Sequence, residues 1–481
     1  MDSGSRTLRV IWVLLLFSLC ATAGFSKSAP QATVRVLMVS DIHFEPFWDP
    51  GKASKLAASP ESEWTAILGS TASPDREAQF AAVQEACRTR GADTSYPLFA
   101  SSLSAMKTDA AGAKIVTVSG DLISHSFSCK FAKVFPNAKP ADYRIFVEKT
   151  IKFVMGSLRG AQPGARVYAA LGNNDTDCDD YQLDANSSFL HDLDKVFTAD
   201  IPGVDIQEAY ADFPIGGNYS ATLPKPFADL RLLVIDDLFM ANDYQTCAGK
   251  DDRSEATRQI VWLHAQLESA RQAKAKVWVM AHIPPGIDLH ATALKGKNIC
   301  AGEEPKMFLS SDDLSNELAQ HGDVISLAIF AHTHMDEMRL LYPIDSTDPD
   351  RSVPVKLVSS ISPINGNNPS ITVAQIDPHT GTMVDYRVIA ASNQTGIGTT
   401  WAEEYDYSTT YNQPAFSAAA LATLMSGFRA DSGATSPLSQ AYIRNYFVGD
   451  RSSELKPFWP IAACDLVNMD AVSFHACVCG R

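Results

Sequence analysis

The chain has 481 residues, 46% of them hydrophobic and 20% charged, which excludes a disordered or fibrous protein and allows a large buried core. A formal charge of −15 argues against the phosphate backbone of nucleic acid as a partner. It leaves a phosphoester substrate open, because bound cations set the local field inside a site.

Residues 1–23 read as a secretory signal. Arg6 and Arg9 supply its positive region, Val10 to Cys20 its apolar stretch, and Ala21-Thr22-Ala23 a small-residue cleavage site. That run is short for a membrane span and no later stretch could cross one. The expected product is an exported monomer, secreted or periplasmic, or lysosomal or vacuolar in a eukaryote. Eight cysteines remain after the signal: Cys87, Cys129, Cys178, Cys247, Cys300, Cys464, Cys477 and Cys479. An even number in an exported chain reads as disulfides. Glycosylation sequons begin at Asn186, Asn218 and Asn393.

In chain order, Val34–Ser40 reads as a strand ending in Asp41-Ile42-His43. Side chains two apart at a strand end point the same way, so this is a paired oxygen and nitrogen ligand. Residues 44–95 read as irregular, with aromatics Phe44, Phe47 and Trp48 serving either local packing or substrate contact. Helical spacing over 96–107 and 141–156 predicts helices packed on a sheet. Ile115–Val118 reads as a buried strand released by Ser119-Gly120 into Asp121, and glycine there permits a sharp turn or a close approach. Ligands of α/β sheets gather outside such carboxyl ends.

Arg166–Leu171 then leads into Gly172-Asn173-Asn174-Asp175, and a short helix is predicted over 189–197. Arg231–Ile235 ends in Asp236-Asp237, read as capping or exposed acids rather than supports of a site. An amphipathic helix is predicted over 255–273, with His264 on its surface. Val277–Ala281 ends in His282 before the turn Ile283-Pro284-Pro285-Gly286, and Ile325–Ala331 ends in His332-Thr333-His334. His191, His290, His321, His379 and His475 lack a strand-end setting and read as structural or exposed. Val355–Ser359, Ile371–Ile376 and Val384–Ile389 are expected to close a second sheet as antiparallel strands. Beyond 391 come a linker, the aromatics Trp401, Tyr405, Tyr407 and Tyr411, and helical stretches over 415–426 and 436–447.

Five strands that each end in Asp, His or Asn make a pattern: D-x-H, G-D, G-N-N-D, an isolated His, and H-x-H. In this order the residues resemble the calcineurin-like metallophosphoesterases, over about 34–389. Within that group His125, the segment Ser362-Pro363-Ile364-Asn365-Gly366-Asn367-Asn368-Pro369 and the Cys-bearing C-terminus resemble the acid sphingomyelinase-like phosphodiesterases and the endopolyphosphatases. The resemblance implies a four-layer α/β/β/α sandwich of two mixed sheets over 34–390, with a small helical C-terminal subdomain over 391–481. It implies two divalent cations, zinc as first choice with manganese or iron open. Asp41, His43, Asp121 and His334 would hold one and Asn173, His282 and His332 the other, with Asp121 bridging. Cys247 would pair with Cys300, and one local bridge would form among the last three cysteines.

Two departures stand out. Ala331 replaces the glycine before the last histidine pair, and Asn174 stands where the family carries a histidine that helps protonate the leaving group. Asparagine cannot supply a proton, so His125 is the candidate general acid. The implied activity is phosphodiester hydrolysis by a hydroxide bridging the two metals. Endopolyphosphatase or broad phosphomonoesterase activity is the alternative that Asn174 favours, and a recognition protein without catalysis is a third reading.

Overall fold

The computed structural model describes residues 1–2, 32–227, 229–449 and 451–480; residues 3–23 of the expected signal lie outside them. Among the described residues, twelve strands form two mixed sheets. The first contains β1 (Val34–Val39), β2 (Ile115–Val118), β3 (Arg166–Ala169), β10 (Ser370–Ile376), β11 (Met383–Ala391) and β12 (Trp401–Asp406), in the order β12-β11-β10-β1-β2-β3. The second contains β4 (Tyr219–Thr222), β5 (Leu230–Val234), β6 (Lys276–Met280), β7 (Ile325–Phe330), β8 (Glu337–Leu341) and β9 (Val353–Leu357), in the order β4-β5-β6-β7-β9-β8.

Strands β1, β2 and β3 run parallel, as do β5, β6, β7 and β9. Each is a nearly unbroken buried run, as a sheet covered on both faces requires. Their carboxyl ends therefore face one way within each sheet, which gathers the five ligand-bearing ends. The sheets are tied by Tyr219, whose hydroxyl accepts from Ala169 N (3.0 Å) and donates to Ala169 O (2.9 Å). The strands expected to close the second sheet divide: β9 stays there, parallel to β7, while β10 and β11 complete the first sheet beside β1. Alternation and burial specify a strand's faces but not its neighbour, which is why the pattern alone misplaced them.

Helices cover the outer faces. Pro140–Ala161 starts with proline at its first position and buries Phe146, Val147, Ile151, Val154 and Leu158, a stripe at helical period. The stretch 44–95, read as irregular, carries three short helices, Ala53–Ala58, Trp64–Gly69 and Arg76–Ala86. Phe44 and Phe47 are wholly buried against Phe99, Phe127, Phe146 and Phe153, and Trp48 lies under the Arg76 guanidinium at 3.8 Å. Packing is therefore their role. Burial of each phenylalanine contributes roughly 1.5–3 kcal/mol.

Four disulfides join Cys87–Cys129, Cys178–Cys247, Cys300–Cys479 and Cys464–Cys477. The local bridge near the C-terminus is present. Cys247 pairs with Cys178 rather than Cys300, because Leu183 N donates to Gln245 O and Gln245 N to Tyr181 O, bringing the two loops together. Cys300 instead meets the last helix, Ala471–Cys479, beside a small core of Ile287, Ile299, Cys464 and Phe474. Of the sequons, Asn218 is fully buried and accepts from Arg258, so it cannot carry a glycan in the folded chain.

Candidate metal centre

The strand ends place Asp41, His43, Asp121, Asn173, His282, His332 and His334 around one point. Asp41 and His43 (φ 44° each), Asp121 (57°), His332 (69°) and His334 (68°) all adopt left-handed backbone. Non-glycine residues held there cost roughly 1–3 kcal/mol each and cluster at functional sites. Gly172 permits the closest approach: a Cβ on it would lie 2.2 Å from Asp121 Oδ1. Gly120 is also hemmed in, since a Cβ on it would lie 2.8 Å from both Gly172 N and His282 Nδ1.

Hydrogen bonds to the backbone fix the imidazoles. His43 Nδ1 donates to Ile123 O (2.9 Å) and His282 Nδ1 to Ser119 O (2.6 Å), aiming both Nε2 atoms inward. There His43 Nε2 lies 3.3 Å from Asp121 Oδ2 and 3.2 Å from His334 Nε2. His282 Nε2 lies 3.2 Å from Asp121 Oδ2, 3.0 Å from Asn173 Oδ1 and 3.3 Å from His332 Nδ1. Asp41, fully buried, has no hydrogen bond on either carboxylate oxygen among the described residues, and Oδ1 faces His334 Nε2 at 3.5 Å. Carboxylate and amide oxygens and imidazole nitrogens this crowded repel one another unless positive charge, protons or cations, lies between them. The donor set, oxygen and nitrogen without thiolate, fits borderline or hard divalent metals. Three groups at the centre have mutually close ligand atoms: Asp41, His43 and Asp121; Asp121, His282 and His332; and His43, His125 and His334.

The electrostatics agree. Burial pulls His282 down, but Asp121 and Asp41 overcome it and push the imidazole up to about 10; Asp121 likewise takes His43 to about 9. Burial pulls His332 and His334 down to about 3, leaving both neutral. Burial raises Asp121, yet His282 and His43 hold it well below the carboxylate range. The two carboxylates thus draw positive charge into the centre, as protons on His282 and His43 or as cations in their place.

A surrounding layer holds these groups. Asp175 accepts from Leu122 N (2.8 Å), Ile123 N (3.1 Å) and Gly172 N (3.0 Å), pinning two motif loops together. Asp237, read as a cap or an exposed acid, is buried and accepts from Ile283 N (3.1 Å) and His282 N (3.3 Å). Asn174 gives its main-chain N–H to Asp121 Oδ1 (2.9 Å) and its side-chain amide to Oδ2 (3.0 Å), so it orients that carboxylate. Tyr181 OH meets His332 Nε2 at 3.1 Å.

His125 stacks on His43 at 3.9 Å, and its Nδ1 donates to Asp93 Oδ1 at 3.0 Å. Asp93 also accepts from His125 N (2.9 Å) and Ser362 Oγ (2.8 Å), with Lys130 Nζ at 3.6 Å. Asp93 and Tyr181 were absent from the residues singled out by sequence. Neither ends a strand, and Asp93 meets its partners His125, Lys130 and Ser362 across separations of 32 to 269 positions. The centre opens on a cavity of about 360 Å³ lined by His125, Tyr181, Phe308, Arg339, Tyr446 and Phe447 among others, so the C-terminal helical region supplies part of its wall.

The model of the calcineurin-like phosphoesterases matches residues 34–336. The chain belongs to the calcineurin-like phosphoesterase family. Membership implies divalent metal ions, and the matched span holds all seven candidate ligands. Among relatives, this phosphoesterase-family chain is 26% identical over 262 residues to a sphingomyelinase phosphodiesterase D of Dictyostelium discoideum, covering 53% of this chain and 55% of the other. It is 24% identical over 372 residues to the human acid sphingomyelinase-like phosphodiesterase 3b, covering 73% of each. It is 26% identical over 332 residues to the human cyclic GMP-AMP phosphodiesterase SMPDL3A, covering 66% and 67%. The chain spans about half the length or less of three Dictyostelium relatives, 55%, 47% and 40%.

Proposed function

We propose that this chain is an exported, two-metal phosphodiesterase. What carries the reading is the convergence of six oxygen- and nitrogen-bearing side chains about Asp121, with neighbouring ligand atoms 3.0–3.5 Å apart. The proposed ligands are Asp41, His43, Asp121 and His334 for one cation and Asn173, His282 and His332 for the other, with Asp121 shared. Zinc is the first choice. When bound, such cations supply Lewis acidity for an attacking water and positive charge against the phosphoryl oxygens.

The chain's own groups do the rest. Asn174 orients Asp121, and Asp175 and Asp237 hold the loops that carry the ligands. In its imidazolium form His125, held through Nδ1–H by Asp93, gives the Nε2 proton to the departing oxygen and is left as the neutral Nδ1–H ring. No serine or cysteine nucleophile is required. The relatives named as phosphodiesterases support a diester substrate, and four disulfides suit an oxidising compartment.

Asn174 in place of a histidine favours a second reading, polyphosphate or phosphomonoester hydrolysis. The cavity speaks against the polyanion. Asp180, Asp288, Glu337 and Glu454 line it against Arg90 and Arg339, and Arg339 is already paired with Glu337 at 2.9 Å and Asp465 at 3.2 Å. A single diester with a neutral or cationic substituent meets less repulsion there. The test is hydrolysis of bis-p-nitrophenyl phosphate, p-nitrophenyl phosphate and long-chain polyphosphate by the Zn²⁺- or Mn²⁺-loaded protein, with Asp121→Ala as blank. Preference for the diester is expected. Preference for either other substrate replaces the reading with the second one, and metal binding without turnover replaces it with the recognition protein.

A further inference from the structure

A second cluster of metal-type side chains lies on two neighbouring helices, apart from the strand ends. The helix Ser254–Ala273 carries His264 and Glu268, four residues apart on one face. Opposite, the helix Asp313–Gln320 carries Glu317, and His321 follows its last residue. Glu317 Oε1 sits 3.1 Å from His264 Nδ1 and 3.0 Å from His321 Nδ1. The two rings are 5.5 Å apart at 79°. Ligand atoms of His264, Glu317 and His321 all lie within 4.8 Å of one another.

We propose that His264, Glu317 and His321 form a second, surface site for a divalent cation of the zinc or copper class. Two imidazole nitrogens and one carboxylate oxygen suit such borderline ions, and three protein ligands leave a position for water. The surroundings are built. The side chains of His321 and Glu317 are 1% and 9% exposed, whereas that of His264 is 54% exposed, so the cluster opens to solvent on one side. Glu268 Oε1 lies 3.0 Å from His321 Nε2. Accepting that N–H, it leaves Nδ1 as the metal-facing nitrogen, the arrangement by which a carboxylate orients a ligating histidine. Arg271 braces Glu268 and binds Asp323 at 2.7 and 3.0 Å and Gln320 O at 2.9 Å.

Without a cation the same groups form an ionic clamp. Burial lowers His321, but hydrogen bonds to Glu317 and Glu268 raise it above its ordinary value, and Nδ1–H also reaches Glu317 O at 2.9 Å. Binding exchanges the Nδ1 proton for the cation, so one proton leaves to solvent and the two helices become cross-linked.

The experiment adds Zn²⁺ to protein whose strand-end centre is already loaded. Uptake is followed by calorimetry, melting by Tm, and coordination by electron paramagnetic resonance with Cu²⁺ as a second probe. Wild type should take up one further equivalent, gain Tm and show two nitrogen couplings to Cu²⁺. His264→Ala, a change at an exposed side chain, should lose that equivalent and one coupling while phosphodiester hydrolysis is unchanged. Glu268→Gln should weaken uptake roughly 10–100-fold. Uptake that is absent in wild type, or equal in wild type and His264→Ala, overturns the proposal; so does a loss of hydrolysis that parallels the loss of uptake.

Discussion

Replacing His125 with alanine separates proton donation from metal binding. The imidazole is fixed by Asp93 on Nδ1 and by the His43 ring at 3.9 Å, and its side chain is 18% exposed toward the cavity. A positioned general acid contributes about 10²–10⁴ in rate, which is about 2.7–5.4 kcal/mol at 1.36 kcal/mol per decade. That contribution is needed only when the leaving oxygen is a strong base. A diester with an alkyl leaving group should therefore lose about 10²–10⁴ in kcat/KM, whereas one leaving as p-nitrophenolate should lose little. The fold should tolerate the change. Asp93 still accepts from the main-chain N of residue 125 (2.9 Å) and Ser362 Oγ (2.8 Å) and still faces Lys130, so no charge is stranded. The assay compares two diesters that share a phosphoryl part, with metal content and Tm measured alongside. Equal losses on both substrates would show that His125 shapes the centre instead, and no loss on the alkyl ester would remove it from the mechanism.

Asp121→Ala should abolish turnover and reduce bound metal, read by elemental analysis of the purified protein; full metal content with residual turnover would refute the shared-ligand role. Peptide mapping without reduction should find Cys178 joined to Cys247 and Cys300 to Cys479. Replacing the latter pair by alanines removes a crosslink spanning 179 residues and should cost about 5 kcal/mol by loop entropy, measured by urea unfolding. Burial pushes Asp465 up to about 7 despite Arg339 beside it. A carboxyl raised in the fold holds an extra proton there between its unfolded value of about 3.9 and its folded one, so wild-type stability falls as pH rises across that window, by up to about 1.4 kcal/mol per unit. Asp465→Asn should flatten that slope, and parallel slopes for the two proteins would refute it.

Sequence by itself determined the strand ends and what they carry. A strand followed by glycine and an acid, or by two histidines one residue apart, is local information, and parallel strands force such ends to one side. Asp41, His43, Asp121, Asn173, His282, His332 and His334 were all legible for that reason. The helices over 140–161 and 254–273 were legible from their apolar period. Only the tertiary structure decided what depends on distant neighbours. It joined β10 and β11 to the first sheet, paired Cys247 with Cys178, and revealed β12 where the sequence showed only aromatics. It also turned Asn174 onto Asp121 and set Asp93 behind His125. Apart from β12, which pairs with the nearby β11, the partners lie tens to hundreds of positions apart, and a residue's type constrains which bonds it can make but not which distant chain segment the fold brings to it.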